Sequence, residues 1–217
     1  MHRLIRRKEF VPISTLVSEL DRVRDISVDY ATFSGMGEPT LASNLGEAID
    51  IVKRALKLPV AVLTNSSLMV REDVRQELLE ADVVIAKLDA PDESLFQIIN
   101  RPVVGYSLEE ILQGIGHFRS QYRGKLALQM MFMEQNRNRS PQMAKAVQWL
   151  SPDEVQINTP LRPCNIAPLS HEQVAEIANE FIGLKRVLTV YGTERPSITP
   201  LNAEEASRRR PEYHFEE

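Results

Sequence analysis

Cysteine is almost missing from this chain. Cys164 stands alone in 217 residues, so no internal disulfide can form, and the expectation is a reducing compartment and a cytoplasmic protein. Long apolar runs are missing too. None approaches the roughly 18 residues that a membrane-crossing helix needs, and the basic start MHRLIRRKEF is not followed by the apolar core of a secretory signal. A basic excess is also absent: 26 Lys and Arg against 30 Asp and Glu give a formal charge of -4, which removes the general electrostatic case for nucleic-acid binding. The short basic runs, MHRLIRRKEF and SRRRP near the end, read as solvated surface. With 43% hydrophobic residues and only 9 glycines, what remains is the composition of an ordinary globular protein. The length suits one core, expected over residues 1–191, followed by an irregular tail, 192–217.

What the chain does have is alternation. Ile13, Leu16, Val17, Leu20 and Val23 share one helix face, and the strand DYATFS (29–34) follows. Helix 45–57 is announced by Asn44 with Glu47 as a capping pair. Strand 59–67, a helix around 71–81 and strand 82–90 come next, the last apolar on both faces and so expected to be covered on both. Residues 91–106 read as irregular. Ser107 and Glu110 cap a helix over 108–122, strand 125–133 follows, and Ser140-Pro141 reads as the N-cap and first residue of another helix. Strand 153–160, a helix at 171–181 capped by Ser170 and Gln173, and strand 186–191 complete the series. Strands alternating with helices imply right-handed crossovers and a parallel sheet, hence an α/β fold. Periodicity does not separate a barrel from a doubly wound sheet, but in both the ligands sit at the carboxyl ends of the strands.

Four strand ends carry polar or glycine-rich chemistry: SGMGEPT at 34–40, TNSS at 64–67, KLDA at 87–90 and INTPLRP at 157–163. All four are expected on one rim. Gly35 and Gly37 can take positive φ and bare the main chain to a ligand, and Pro39 pushes Glu38 into an extended conformation that fixes its carboxylate in advance. An anion set beside exposed backbone suits a cationic amine. A phosphate loop fits poorly, because no Gly-Lys-Ser/Thr ending follows and Thr40 stands where a dinucleotide fingerprint has its third glycine.

The run GMGEPTL resembles the GGEP motif of the radical S-adenosylmethionine superfamily, and VLTNSSL, LDA, INRP and NTPLRP resemble the successive strand ends of its wybutosine-synthesis-like iron-sulfur oxidoreductases, from about Glu9 to about Val190. The resemblance implies a partial (β/α)6 TIM-type barrel whose first strand and cluster loop are missing here. It also implies an S-adenosylmethionine site in which Gly35, Gly37, Glu38 and Pro39 form the methionyl end. Asn65, Ser66 and Asp89 would reach the ribose or the substrate, and Asn158, with Thr159, the adenine. Arg101 and Arg162, each followed by proline, are the candidates for an anionic group of the substrate. Gln129 and Met131 read as packing, and His117 and His171 as structural or exposed.

The superfamily's CxxxCxxC loop, which binds a 4Fe-4S cluster, is absent, and Cys164 lies far along the chain. The metal expectation is therefore none, no catalytic residue is assigned, and no 5'-deoxyadenosyl radical is expected from the polypeptide as written. Two readings follow. An N-terminally truncated radical enzyme is favoured, because the rim residues keep their ligand-binding type; a cluster-less relative that binds a ligand or partner is the alternative. An ordinary α/β nucleotide enzyme is a third, weaker reading. The substrate stays open between RNA and a small molecule, membrane association is not expected, and association through an open sheet edge is the partner expectation.

Overall fold

Short runs of β-branched and aliphatic residues, each followed by an amphipathic helix, fold here into a six-stranded parallel sheet. The computed structural model of the chain describes residues 6–35, 37–103 and 105–193. The tail beyond Thr193 and the SRRRP run lie outside the described residues. The strands are β1 (Ala31–Phe33), β2 (Val60–Thr64), β3 (Val83–Lys87), β4 (Lys125–Met131), β5 (Glu154–Asn158) and β6 (Val187–Thr189). They are interleaved with α1 (Ile13–Val23), α2 (Leu45–Leu56), α3 (Glu72–Leu78), α4 (Glu93–Ile99), α5 (Leu108–Gln121), α6 (Ser140–Leu150) and α7 (His171–Asn179).

Strand order decides what periodicity left open. The strands follow one another β1 to β6 across the sheet, all parallel. Right-handed crossovers that always step the same way put every helix on one face, as in a barrel, whereas a doubly wound sheet reverses direction. The expected partial-barrel class holds, as an open sheet. On the helix-covered face Val60, Val62, Val84, Ala86, Leu126, Leu128, Met130, Val155 and Ile157 are fully buried. The other face carries Thr32, Leu63, Ile85, Lys87, Gln129, Gln156 and Asn158, with Lys87, Gln129 and Gln156 in register across three strands, and none of these is fully buried. So β3 is covered on one face and half-open on the other. The alternation of Val83 and Ile85 with Val84 and Ala86 separates a lumen side from a core side, and all four being apolar hid this.

Capping boxes form at Ser107–Glu110 and Ser170–Gln173 as expected. Asn44 does not cap α2. Its amide donates instead to the Val11 carbonyl at 2.9 Å, tying the segment before α1 to the start of α2. Ser140 is the first residue of α6 and not its cap, with Pro141 one place further in. Within the stretch expected to be irregular, α4 forms because Asp92 accepts the Leu95 N–H at 3.0 Å. Seven residues give too little periodicity for pattern to reveal it.

Candidate functional site

The rim opens at the end of β1. Gly35 has φ +142°, a backbone conformation closed to side chains without strain, so the turn itself requires glycine there. Gly37 does not take positive φ, and a Cβ on it would meet nothing within 4 Å. Neither angle nor neighbour in the protein calls for glycine at 37. Glu38 is extended (φ -93°, ψ 114°), as a residue before proline should be, and Pro39 starts a 3-10 turn over Pro39–Leu41.

The Glu38 carboxylate points inward. Its Oε1 accepts from Thr40 N (3.1 Å), Thr40 Oγ1 (2.7 Å) and Thr64 Oγ1 (2.6 Å), and its Oε2 accepts from Asn65 N (2.7 Å). Four donors from two strand ends fix the group. A carboxylate has about four lone-pair sites, two on each oxygen. Oε1 is saturated, and Oε2 keeps one site for a further donor. Behind the turn, the largely buried Arg7 donates to the Thr40 carbonyl at 2.8 Å, to the Ala42 carbonyl and to Glu77, and pairs with Asp73 at 3.1 Å. Burial alone would lower the Arg7 pKa, but hydrogen bonds to Glu77 and Asp73 outweigh it, so the guanidinium stays charged.

The predicted rim residues divide by availability. Asn65 is exposed; its Oδ1 accepts from Ser67 N at 2.9 Å, which leaves its NH2 free. Ser66 is buried in a left-handed conformation (φ 69°), and its hydroxyl donates to the Lys87 carbonyl at 2.9 Å, a strut between two rim segments. Asp89, 5% exposed, accepts from Met131 N (2.8 Å) and Asn100 Nδ2 (3.1 Å) and pairs with Lys87 (3.3 Å). It ties the ends of β3 and β4 to the end of α4. Asn136, which pattern did not single out, completes that knot by donating to the carbonyls of Asp89 (2.8 Å) and Met131 (2.9 Å). Asn158 has a half-buried side chain without a hydrogen bond among the described residues, while its carbonyl accepts from Phe132 N at 2.7 Å. The Thr159 hydroxyl is buried and accepts from Leu169 N at 2.8 Å.

A cleft of about 230 Å³ brings Glu38, Asn65 and Arg101 together over Leu41, Leu68 and Phe96. Arg101 is exposed with φ 45°, directly after the Asn100 that Asp89 holds. Arg162 and Cys164 lie on the exposed segment 162–168, and Arg162 does not line this cleft. The Cys164 thiol contacts only the Ile166 carbonyl, at 3.4 Å. Among the described residues no three His, Cys, Asp or Glu side chains group as metal ligands. A 4Fe-4S cluster is held by several thiolates, and a single thiol does not fit it.

No protein-family profile matches the chain. Relatives do. The chain is 32% identical over 200 residues to a UPF0026 protein of Methanocaldococcus jannaschii, covering 86% of this chain and 62% of that one. It is 38% identical over 167 residues to a UPF0026 protein of Synechocystis, covering 76% and 62%. It thus spans about three fifths of the length of these relatives. Among solved structures, Streptococcus suis SuiB bound to S-adenosylmethionine superposes with a TM-score of 0.63 at 15% identity, over 81% of this chain and 43% of that one. A radical SAM methyltransferase from Sphaerobacter thermophilus superposes at 0.59 and 17%, over 82% and 56%. The fold is that of the radical S-adenosylmethionine proteins. An archaeal TYW1 superposes as well, at 0.57 and 18%, over 77% and 56%. The resemblance drawn from the strand ends is borne out in the fold, and the aligned region is most of the described chain.

Proposed function

We propose that these residues form the S-adenosylmethionine-binding core of a radical SAM protein, with the iron-sulfur ligands not among them. The observation that carries this is the inward Glu38 carboxylate, braced by four donors and left with one open lone pair beside the bare backbone of Gly37. An α-amino group fits that pair of features: an ammonium donates to Oε2 and to nearby carbonyls, and the absent side chain at 37 lets it approach. The free NH2 of Asn65 and the amide of Asn158 are then the groups for the sugar and base of the cofactor, and Arg101 for an anionic group of the substrate. Bound S-adenosylmethionine would supply a sulfonium; the chain's part is to grip and orient it. No reaction step is assigned, because the thiolates for the cluster are not here.

Two charge-assisted hydrogen bonds at roughly 1.5 to 3 kcal/mol each give about 3 to 6 kcal/mol, a dissociation constant between the millimolar range and tens of micromolar. Equilibrium dialysis with labelled S-adenosylmethionine measures it. Glu38→Gln should weaken binding about tenfold or more, and Gly37→Ala should weaken it with little change in melting temperature. Retained affinity in both variants, or no binding to the parent chain at several millimolar, would overturn the proposal. The alternative of a cluster-less binding relative predicts the same dialysis result but no cluster in any longer form of the protein. Anaerobic iron-sulfur reconstitution of the whole protein, read by its absorption spectrum, separates the two.

A further inference from the structure

The open face of the sheet holds a second arrangement, below the rim and away from the Gly37–Glu38 turn. Glu154, 3% exposed, is held by Lys125 Nζ at 2.7 Å and Arg186 Nε at 3.3 Å. Burial pushes its carboxyl upward, but the Gln156 hydrogen bond and these cations outweigh that and keep it an anion. A carboxylate only accepts. Gln156, whose Nε2 lies 2.8 Å from Glu154 Oε1, must therefore present its NH2 to Glu154, and its carbonyl oxygen is turned toward β4. There Gln129 Nε2 donates to that oxygen at 2.9 Å. The chain of amides has one polarity, and it ends on the Gln129 carbonyl oxygen.

Among the described residues that oxygen has no hydrogen-bond partner, and no buried side-chain nitrogen or oxygen is left without one. It is therefore open to the lumen. Lys87 is the register partner of Gln129 on β3, as Gln156 is on β5. The Lys87 ammonium has three donors and one long pairing, to Asp89 at 3.3 Å. An acceptor and a cationic donor thus stand side by side across two neighbouring strands.

We propose that Lys87 and Gln129 form a lumen subsite for a planar group that shows an N–H beside a carbonyl: a carboxamide, including the lactam edge of a nucleobase. The ligand N–H goes to Gln129 Oε1 and its carbonyl to Lys87. Glu154 is a positioning residue. It touches no ligand, but it sets which end of each amide faces the lumen, because reversing Gln129 would oppose two carbonyl oxygens. None of these residues contributes to the methionyl-end site, so the subsite stands independently of it.

Benzamide, 2-piperidinone and N-methyl-2-piperidinone are suitable probes, because the first two show an N–H on the same edge as the carbonyl and the last has no N–H. Titration of 15N-labelled full chain, followed in two-dimensional spectra, reads the Gln129 and Gln156 side-chain amides directly. Benzamide and 2-piperidinone should shift the Gln129 resonances, and N-methyl-2-piperidinone should bind about fivefold more weakly, the worth of one hydrogen bond. Gln129→Met keeps the length, removes the acceptor and should abolish the preference. Glu154→Gln should reduce it, with both glutamine amides changed in position before any probe is added. Dispersion of the backbone spectrum reports that each variant is folded. Equal binding of the three probes, an unchanged preference in Gln129→Met, or no shift with benzamide would overturn the proposal.

Discussion

The two ends of the sheet treat their polar groups in opposite ways. At the amino end, Asp82 accepts the Val60 N–H at 2.8 Å and pairs with Lys53 at 2.9 Å. Asp153 accepts the Leu126 N–H at 3.0 Å and holds both Arg119 and Lys185 at 2.9 Å. Each carboxylate sits just before a strand and reaches the start of the preceding one, so successive β/α units are stapled at the same level. At the carboxyl end, among the described residues, Asn65 keeps a free NH2, Asn158 has no partner for its amide, and Arg101 is exposed and left-handed. Barrel-type proteins place stability at one end and chemistry at the other. Here the division is visible in which polar groups the chain satisfies by itself.

The largest break in that contrast should come from the amino end. Asp153→Ala removes a near-bidentate arginine pair, a lysine and the acceptor of a backbone N–H at once. With the pair about one-quarter exposed, the loss should be roughly 3 kcal/mol, lowering the melting temperature by about 6 to 12 °C in a chain of this size. A fall of under about 1 kcal/mol would mean that the staple adds little.

Acid should act on the same end, and on Asp73 behind the rim turn. Burial raises the carboxyl pKa of Asp82 and Asp153, but backbone N–H groups and cations outweigh it and hold both below the ordinary range; Arg71, then Arg7, hold Asp73 at about 2. Groups whose folded pKa is depressed stabilise the fold above the unfolded carboxylate range, near 4, and that stability is lost as pH falls through the folded values. Melting temperature should be flat above about pH 5 and drop between roughly pH 4 and 2, with a shallower drop in Asp153→Ala. A curve of the same slope in both proteins would remove Asp153 from the account.

Much of this was legible in the sequence. The strand-helix alternation, the shared rim and the extended Glu38 before Pro39 follow from period and backbone sterics. What escaped was pairing at a distance. Asp89 reads as a strand-end carboxylate for the ribose or substrate, yet Asn100 and Met131 N, 11 and 42 residues on, close it. Gln129 reads as packing because an alternating Gln-Met-Met gives no sign that an anion on the neighbouring strand orders its amide. Gly37 looks like a turn glycine, but the angles assign that need to Gly35 alone.

Glu38→Gln probes the one rim group that belongs to both kinds of end. Its Oε1 side is closed like the amino end, but the Asn65 N–H would meet an NH2 in place of Oε2. The expected loss is about 1 to 2 kcal/mol in chemical denaturation, smaller than for Asp153→Ala because the rim group is half-open to water.

The smallest effect should be Asn158→Ala. If the carboxyl end is open because its polar groups face solvent, removing an amide that none of the described residues engages leaves no orphaned partner and a half-exposed methyl. Stability should stay within about 0.5 kcal/mol of the parent. The backbone bond from Phe132 N to the Asn158 carbonyl does not depend on the side chain, so strand pairing between β4 and β5 is kept. A loss above about 1 kcal/mol would show that the amide is engaged by the fold, and the carboxyl end would then be a second closed end.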